Sequence, residues 1–187
     1  MTALIRLTSP VAEPLSLAEI KAHLRIETDA EDGLLASYLI AAREAVERYL
    51  RRALIAQGWQ LGLDCWPEGP VRFPRPPLIA VEAVRVVDAQ GTASLVDPAK
   101  YHVENRAEPG FLLPADGTGL PRPGRRHGGI EIDFTAGFGE SWNDVPAPIR
   151  QALMMMIGEL YEHRGRAQPA IAGEVRCLLE PFRMISL

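Results

Sequence analysis

The fold is decided by residues 28–54, which read TDAEDGLLASYLIAAREAVERYLRRAL. Apolar side chains recur along this stretch at the spacing of one helix face, and charged side chains occupy the opposite face. The pattern predicts a long amphipathic helix that runs to the end of the stretch. We expect Thr28 and Glu31 to form a capping box at its start, with Asp29 as the alternative cap, and Gly58 to end the segment.

Two further helices accompany the long one. Ser16 with Glu19 has the spacing of a capping box and opens a short helix. Pro146 and Pro148 suit the first turn of a C-terminal helix that we expect to end at Gly165. This last helix is apolar around most of its circumference, which is typical of a helix that is buried on several sides or lies in a subunit interface. Its candidate interface residues are Met154, Met155 and Tyr161.

The middle of the chain, residues 57–144, contains 10 of the 16 prolines and several short stretches of alternating apolar and polar residues. Strict alternation indicates antiparallel strands in a sheet with one solvent-exposed face. Residues 105–129 are rich in proline and glycine, and a connection of that length is usually functional or disordered. The alternating stretches are residues 59–63, 71–73, 81–86, 101–104 and 130–134.

These elements predict an α+β fold. Residues 1–56 with 145–165 would form a helical core, residues 57–144 a β-rich insertion with the long loop 105–129, and residues 166–187 a C-terminal arm. The arm carries too many apolar side chains for a free tail, so we expect it to dock either on a partner or on its own helices. Pro181 leaves room for a short helix over residues 173–180. The candidate binding residues are Ile171, Val175, Arg176, Leu178, Leu179, Phe182, Met184 and Ile185.

Composition excludes several classes of protein. A net charge of −4 over 187 residues argues against a bulk-basic nucleic-acid binder, and no segment has the roughly 20 apolar residues of a membrane span. The N-terminus shows no signal-peptide pattern, so we expect a soluble product made in the cytoplasm. Cys65 and Cys177 form neither a metal-ligand pair nor a disulfide framework, and no cofactor is predicted.

No catalytic constellation emerges from the motifs. The four histidines fall in separate contexts, and neither glycine-rich turn, 117–119 or 137–139, has the pattern of a phosphate-binding loop. One basic cluster, Arg122, Arg125 and Arg126, lies on the long loop. It is either a solvated loop or a contact for a phosphate backbone or an acidic partner.

The order of segments resembles a known family. The segments are PLSLAEIKAHLRI (14–26), an acidic patch at 29–32, AAREAVE (41–47), 59–63, PLIAV (77–81), YHV (101–103), 130–139, VP (145–146), and the helix 149–164 ending YEHR. This succession is similar to the head–tail connector (adaptor) proteins of long-tailed bacteriophages and of phage-derived gene transfer agents.

The resemblance implies a structural protein. Members of that family form a ring, usually of twelve subunits, that joins the portal to a stopper or tail-completion protein and encloses the channel through which double-stranded DNA passes. The resemblance therefore implies that the chain lies in the neck of a virion or phage-like particle assembled in the bacterial cytoplasm, with no membrane partner. The arm then becomes a candidate portal contact, and the arginine loop a candidate channel or partner contact.

Two alternatives stay open at the level of sequence. One is a small hydrolase or nucleotide-binding enzyme with a site between the helical core and the β insertion, which requires a pocket with convergent polar groups. The weaker one is a regulatory DNA-binding protein, although no helix has basic residues at its N-terminal end as a recognition helix should.

Overall fold

The computed structural model describes residues 2–117, 119–163, 171 and 173–184. They form two compact units. The β unit comprises residues 1–10 and 56–137, and the helical unit comprises residues 11–55 and 138–187. The predicted α+β class is confirmed, since the described elements are helices and antiparallel sheets.

The helical unit is built from α-helices around one apolar core. Leu35, Leu50, Ile149 and Ile157 are fully buried there, as the spacing of apolar residues in the sequence requires. No helix in the described part of the chain is long and apolar enough to cross a membrane. The helices are α1 (Leu17–Leu24), α2 (Asp32–Leu50), α3 (Ala147–Glu162) and α4 (Gly173–Leu179), with single 3-10 turns at Trp142–Asp144 and Glu180–Phe182.

The start of α1 follows the sequence prediction. The Ser16 hydroxyl accepts from the Glu19 amide, and the Glu19 carboxylate accepts from the Ser16 amide at 2.9 Å, so both halves of the capping box are present. The bond from the Ser16 amide is the main cause that lowers the pKa of Glu19. Arg150 of α3 also pairs with this carboxylate and stacks on Trp142, which ties α3 to the cap of α1.

Both predicted ends of α2 are wrong. Its N-cap is Glu31, which makes no side-chain cap bond, and the acidic residues nearby are used differently: Lys21 pairs with Asp29 at 2.5 Å and with Asp32 at 3.0 Å. The helix ends at Arg51, which adopts a left-handed conformation with φ of 56°, well before Gly58.

The β unit contains two antiparallel sheets. One is five-stranded in the order β1-β2-β8-β4-β5, and the other is three-stranded in the order β3-β7-β6. The strands are β1 (Thr2–Arg6), β2 (Gln57–Leu63), β3 (Val71–Arg72), β4 (Leu78–Val87), β5 (Ala93–Leu95), β6 (Tyr101–Glu104), β7 (Phe111–Pro114) and β8 (Ile130–Ala136), with a 3-10 turn at Pro98–Lys100.

The central strand β8 shows why the five-stranded sheet has one buried face. Its apolar residues Ile130, Ile132 and Phe134 are buried, and the intervening Glu131 and Asp133 are half-exposed. A second aromatic ring, that of Phe73, lies 5.0 Å from the ring of Phe134 on the buried side.

Three predicted boundaries are corrected by the structure. Residues 1–10, assigned to the helical core, supply the edge strand β1 of the five-stranded sheet, and residues 138–144, assigned to the β insertion, belong to the helical unit. The predicted loop 105–129 is interrupted by β7, because Phe111–Pro114 has partners on both sides, in β3 and β6. The predicted end of α3 at Gly165 lies outside the described residues, and the helix as described ends at Glu162.

Candidate functional site

The C-terminal arm packs on its own helical unit. Leu179 is fully buried, and Ile171, Val175, Leu178 and Phe182 pack against the core of α1, α2 and α3. Folding back was one of the two alternatives left by the sequence, and it is the one that the described part of the arm adopts. The predicted short helix is confirmed as α4, although Leu179 faces its own subunit and offers no surface to a partner in this conformation.

Polar contacts fasten the arm to the end of α2. The Met184 amide donates to the Leu50 carbonyl at 3.0 Å, which satisfies a backbone acceptor that the end of a helix leaves free. Arg52 Nε donates to the Phe182 carbonyl at 2.5 Å. The Tyr49 hydroxyl donates to Glu180 Oε2 at 2.6 Å, and this bond is the main cause that raises the pKa of Tyr49 and lowers that of Glu180.

What the arm presents to solvent is mostly polar. Arg176 and Cys177 of α4 are exposed, and Arg183 lies with its guanidinium carbon 5.1 Å from the centre of the Tyr49 ring. Met184 is half-buried. Ile185, the last predicted binding residue, lies outside the described residues.

The three candidate interface residues of α3 are half-buried. Met154 and Tyr161 pack against the core of their own unit, and the Tyr161 hydroxyl donates to Glu31 Oε2 at 2.6 Å. The apolar surface of α3 is covered largely within one subunit, since six of its residues are buried: Ile149, Ala152, Leu153, Met156, Ile157 and Leu160. A role for Met155 and its neighbours in a subunit interface stays a prediction.

The basic cluster lines an open cleft of about 730 Å³ in the β unit. Arg122, Arg125 and Arg126 are all exposed, and Trp66 and Asp64 from the end of β2 form part of the lining. The sequence brings the three arginines together, since they are close in the chain, but it gives no sign that residues about 60 positions earlier complete a concave surface.

Backbone hydrogen bonds hold the arginine loop in place. The amides of Gly124 and Arg125 both donate to the Val87 carbonyl, at 3.0 and 3.1 Å. The Gly128 amide donates to Asp64 Oδ1 at 2.8 Å, and Trp66 Nε1 donates to the Pro121 carbonyl at 2.9 Å. These bonds hold the backbone at residues 124, 125 and 128 along one wall of the cleft, while the arginine side chains are exposed.

Sequence reasoning missed two exposed apolar side chains at the edges of the five-stranded sheet. Ile5 at one edge is 55% exposed, and Leu95 at the other edge is 67% exposed. The short apolar run Ala3, Leu4 and Ile5 was the available signal for the first edge. Within the described residues, no group of histidine, cysteine or acidic side chains has the arrangement of a metal site.

Comparison with known proteins identifies the family. The family model described as "Phage gp6-like head-tail connector protein" matches residues 14–105. A chain in the virion of a native gene transfer agent (GTA) particle is 34% identical, with a TM-score of 0.83 and with 98% of this chain and 96% of that chain covered. The chain belongs to the phage gp6-like head–tail connector family. The predicted resemblance is confirmed.

Two further solved structures contain similar connector chains. One is the neck of an empty GTA particle computed with C6 symmetry, at 34% identity and a TM-score of 0.84 over 99% of this chain and 97% of that one. The other is the neck of a native GTA particle computed with C12 symmetry, also at 34% identity, with a TM-score of 0.79 and the same coverage. No curated protein matches the sequence. Because the family and these relatives are structural components of virion necks, the prediction of a structural protein rather than an enzyme is confirmed.

Proposed function

We propose that this connector forms a homo-oligomeric ring, of about twelve subunits, between the portal and the stopper or tail-completion protein of a phage or gene transfer agent particle. The likeness over 99% of the chain to a chain in a GTA neck of C12 symmetry carries this proposal. A ring of this kind encloses the channel through which DNA leaves. The net charge of −4 suits a channel wall that must let a polyanion slide without holding it.

The exposed side of the arm is the proposed portal contact. Its core-facing residues stabilise the helical unit, so the surface left for a partner centres on Arg176 and Cys177, together with the half-buried Met184. This division explains how one short segment can serve both alternatives: one side anchors the arm and the other meets the portal. In the same way, the half-buried Met155 of α3 is the proposed contact between helical units of neighbouring subunits.

Removing the protein from a particle-producing strain tests the proposed function. We expect filled capsids that lack tails, and we expect tails to return when the gene is supplied again. Complementation with Arg176→Glu should restore fewer tailed particles than wild type, while the purified variant keeps its helical circular dichroism spectrum, because the changed side chain is exposed. Electron microscopy counts tailed and tailless particles. Normal tailed particles without the protein would refute the function.

We propose that the arginine cleft receives an acidic segment of a neighbouring neck protein. A concave site with three guanidinium groups and an indole ring is suited to carboxylates, which arginine binds with two parallel hydrogen bonds. A duplex held at such a site would resist passage, since each phosphate contact adds to binding.

Substituting serine at Arg122, Arg125 and Arg126 should reduce tail joining. Loss of three charge-assisted contacts is expected to weaken the partner interaction by about 2 kcal/mol, or roughly thirty-fold. The thermal unfolding midpoint should stay unchanged, because these side chains are exposed. The measurement is the fraction of tailed particles after complementation.

A matched control changes two exposed arginines of the same unit that do not line the cleft, Arg72 and Arg106, to serine. We expect wild-type tail joining from this control. Premature DNA loss from fully tailed particles of the triple variant would assign the cleft to DNA instead of a protein. Wild-type behaviour in both assays would make the loop a solvated surface.

A further inference from the structure

The five-stranded sheet ends in two open edges. Strands β1 and β5 are the outermost strands, and within the described chain no other strand pairs with their outer sides. All three residues of β5 are exposed. An edge strand offers unpaired backbone donors and acceptors, so an exposed edge with apolar side chains is a template for pairing with another chain.

The two edges expose apolar side chains on the same face of the sheet. Ile5 is the register partner of Gln60, which is in turn the partner of Asp133, and register partners lie on one face. Arg85 donates to Asp133 Oδ2 at 2.6 Å, so it lies on that face too, and Arg85 is the register partner of Leu95. Ile5 and Leu95 therefore lie on one face but in neighbouring rows. The row of Leu95 continues through Arg85, Glu131 and Gly62 to Ala3, two residues from Ile5.

We propose that β1 of one subunit pairs with β5 of the next and joins the sheets of neighbouring subunits. This inference rests on the proposed ring. A sheet that continues from one copy to the next keeps its faces and rows, so Leu95 would lie beside Ala3 of the neighbouring copy. Ile5 would be its diagonal neighbour on the same face, and the two apolar side chains would cover part of each other's exposed surface.

The contact is of the kind that closes a ring. Since β1 and β5 are different surfaces, the pairing is heterologous, and an incomplete arc keeps one free edge at each end until the ring closes. Antiparallel pairing throughout the sheet gives β1 and β5 the same direction, so rotation about an axis along the strands pairs them in parallel. At about 4.8 Å per strand, five strands span about 24 Å, and twelve copies close at a diameter of roughly 90 Å.

Disulfide trapping tests the pairing. In the chain that keeps its native Cys65 and Cys177, we introduce Ala3→Cys together with Leu95→Cys, at positions that share one row of the sheet, purify the particles and oxidise them. Non-reducing electrophoresis should show a ladder of covalent multimers that the wild-type chain does not give. Each single-cysteine variant should match the wild type, and the control pair Ala3→Cys with Val103→Cys, whose second site is exposed on the other sheet, should give no ladder.

A charge exchange provides a second test that needs no oxidation. Ile5→Glu with Leu95→Glu should reduce ring occupancy in necks at least about tenfold, and Ile5→Glu with Leu95→Lys should restore it, because opposite charges across a pair attract. Necks that contain the ring but yield no ladder would overturn the pairing and leave the proposed function standing. Dimers from either single-cysteine variant would indicate a two-fold contact and overturn it as well. Particles that assemble normally without the protein would refute both.

Discussion

Replacing Leu179 with alanine should lower the free energy of unfolding by about 2–5 kcal/mol. The side chain is 0% exposed and belongs to the core formed with α1, α2 and α3, so its loss removes apolar contacts and leaves a cavity. Denaturant titration followed by circular dichroism measures the change.

The control for Leu179 lies in the same helix. Arg176→Ala should change the free energy of unfolding by less than about 0.5 kcal/mol, because Arg176 is exposed. Equal stability of the two variants would mean that the arm is detached from its own subunit in solution. The whole arm would then be free to bind the portal, as the other alternative requires. Deleting residues 170–187 would be a poor test of portal binding, because the deletion would remove the buried Leu179 along with the exposed surface of the arm.

The helices follow from the sequence because their signals are local. The apolar repeat of α2 and α3 and the box of Ser16 with Glu19 each lie within a few residues of chain, and the structure has all of them. The start of α2 was missed for the opposite reason. Lys21, eight and eleven residues away from its partners, pairs with Asp29 and Asp32, and this contact exists only once α1 has folded against the loop.

The strands β1 and β7 depend on partners that are distant in the chain. The pairing of β1 with β2 joins residues more than 50 positions apart, and the five residues of β1 do not alternate, so they carry little signal without that partner. Strand β7 lies among prolines and glycines that predict a loop, yet β3 and β6 give its backbone groups partners on both sides. Sheet formation is a tertiary property in both cases.

The candidate sites likewise have features that the sequence predicts and features that depend on tertiary contacts. The three arginines are neighbours in sequence and were found together, but the cleft they line requires Asp64 and Trp66 to approach from another strand. Apolar arm residues were recognised as too many for a free tail, whereas the choice between a partner and the subunit's own core depended on the packing of α4 against α3.

The second large change in the free energy of unfolding is expected from a cluster of buried charged side chains in the helical unit. Arg43 is 4% exposed and lies between two carboxylates, with Nε 2.8 Å from Glu13 Oε2 and an Nη 3.1 Å from Glu47 Oε2. Glu47 Oε1 also accepts from the Leu54 amide at 3.0 Å. The cluster thus joins α2 to the segment before α1, through Glu13, and to the segment that follows α2, through Leu54.

Arg43→Ala is expected to cost about 3–5 kcal/mol at neutral pH, because removing one partner leaves buried negative charge without its cation. Burial already raises the pKa of Glu13 above its ordinary 4.5, and loss of the guanidinium should raise it further. A carboxyl group with a raised folded-state pKa penalises the fold at high pH, and protonation relieves that penalty. The deficit of the variant should therefore shrink as the pH falls towards 4.5, which denaturant titrations at pH 7 and at about pH 4.5 would measure.

Arg48→Ala is the matched control, since Arg48 is exposed on the same helix and its loss should cost less than about 0.5 kcal/mol at either pH. If the loss of stability caused by Arg43→Ala does not vary with pH, its cause is the lost packing of the aliphatic part of the arginine side chain and not the unpaired carboxylates. The triple variant Glu13→Gln, Arg43→Met and Glu47→Gln separates the two causes. It restores stability if buried charge is responsible, because two neutral amides and an apolar chain of similar length fill the site without a stranded ion.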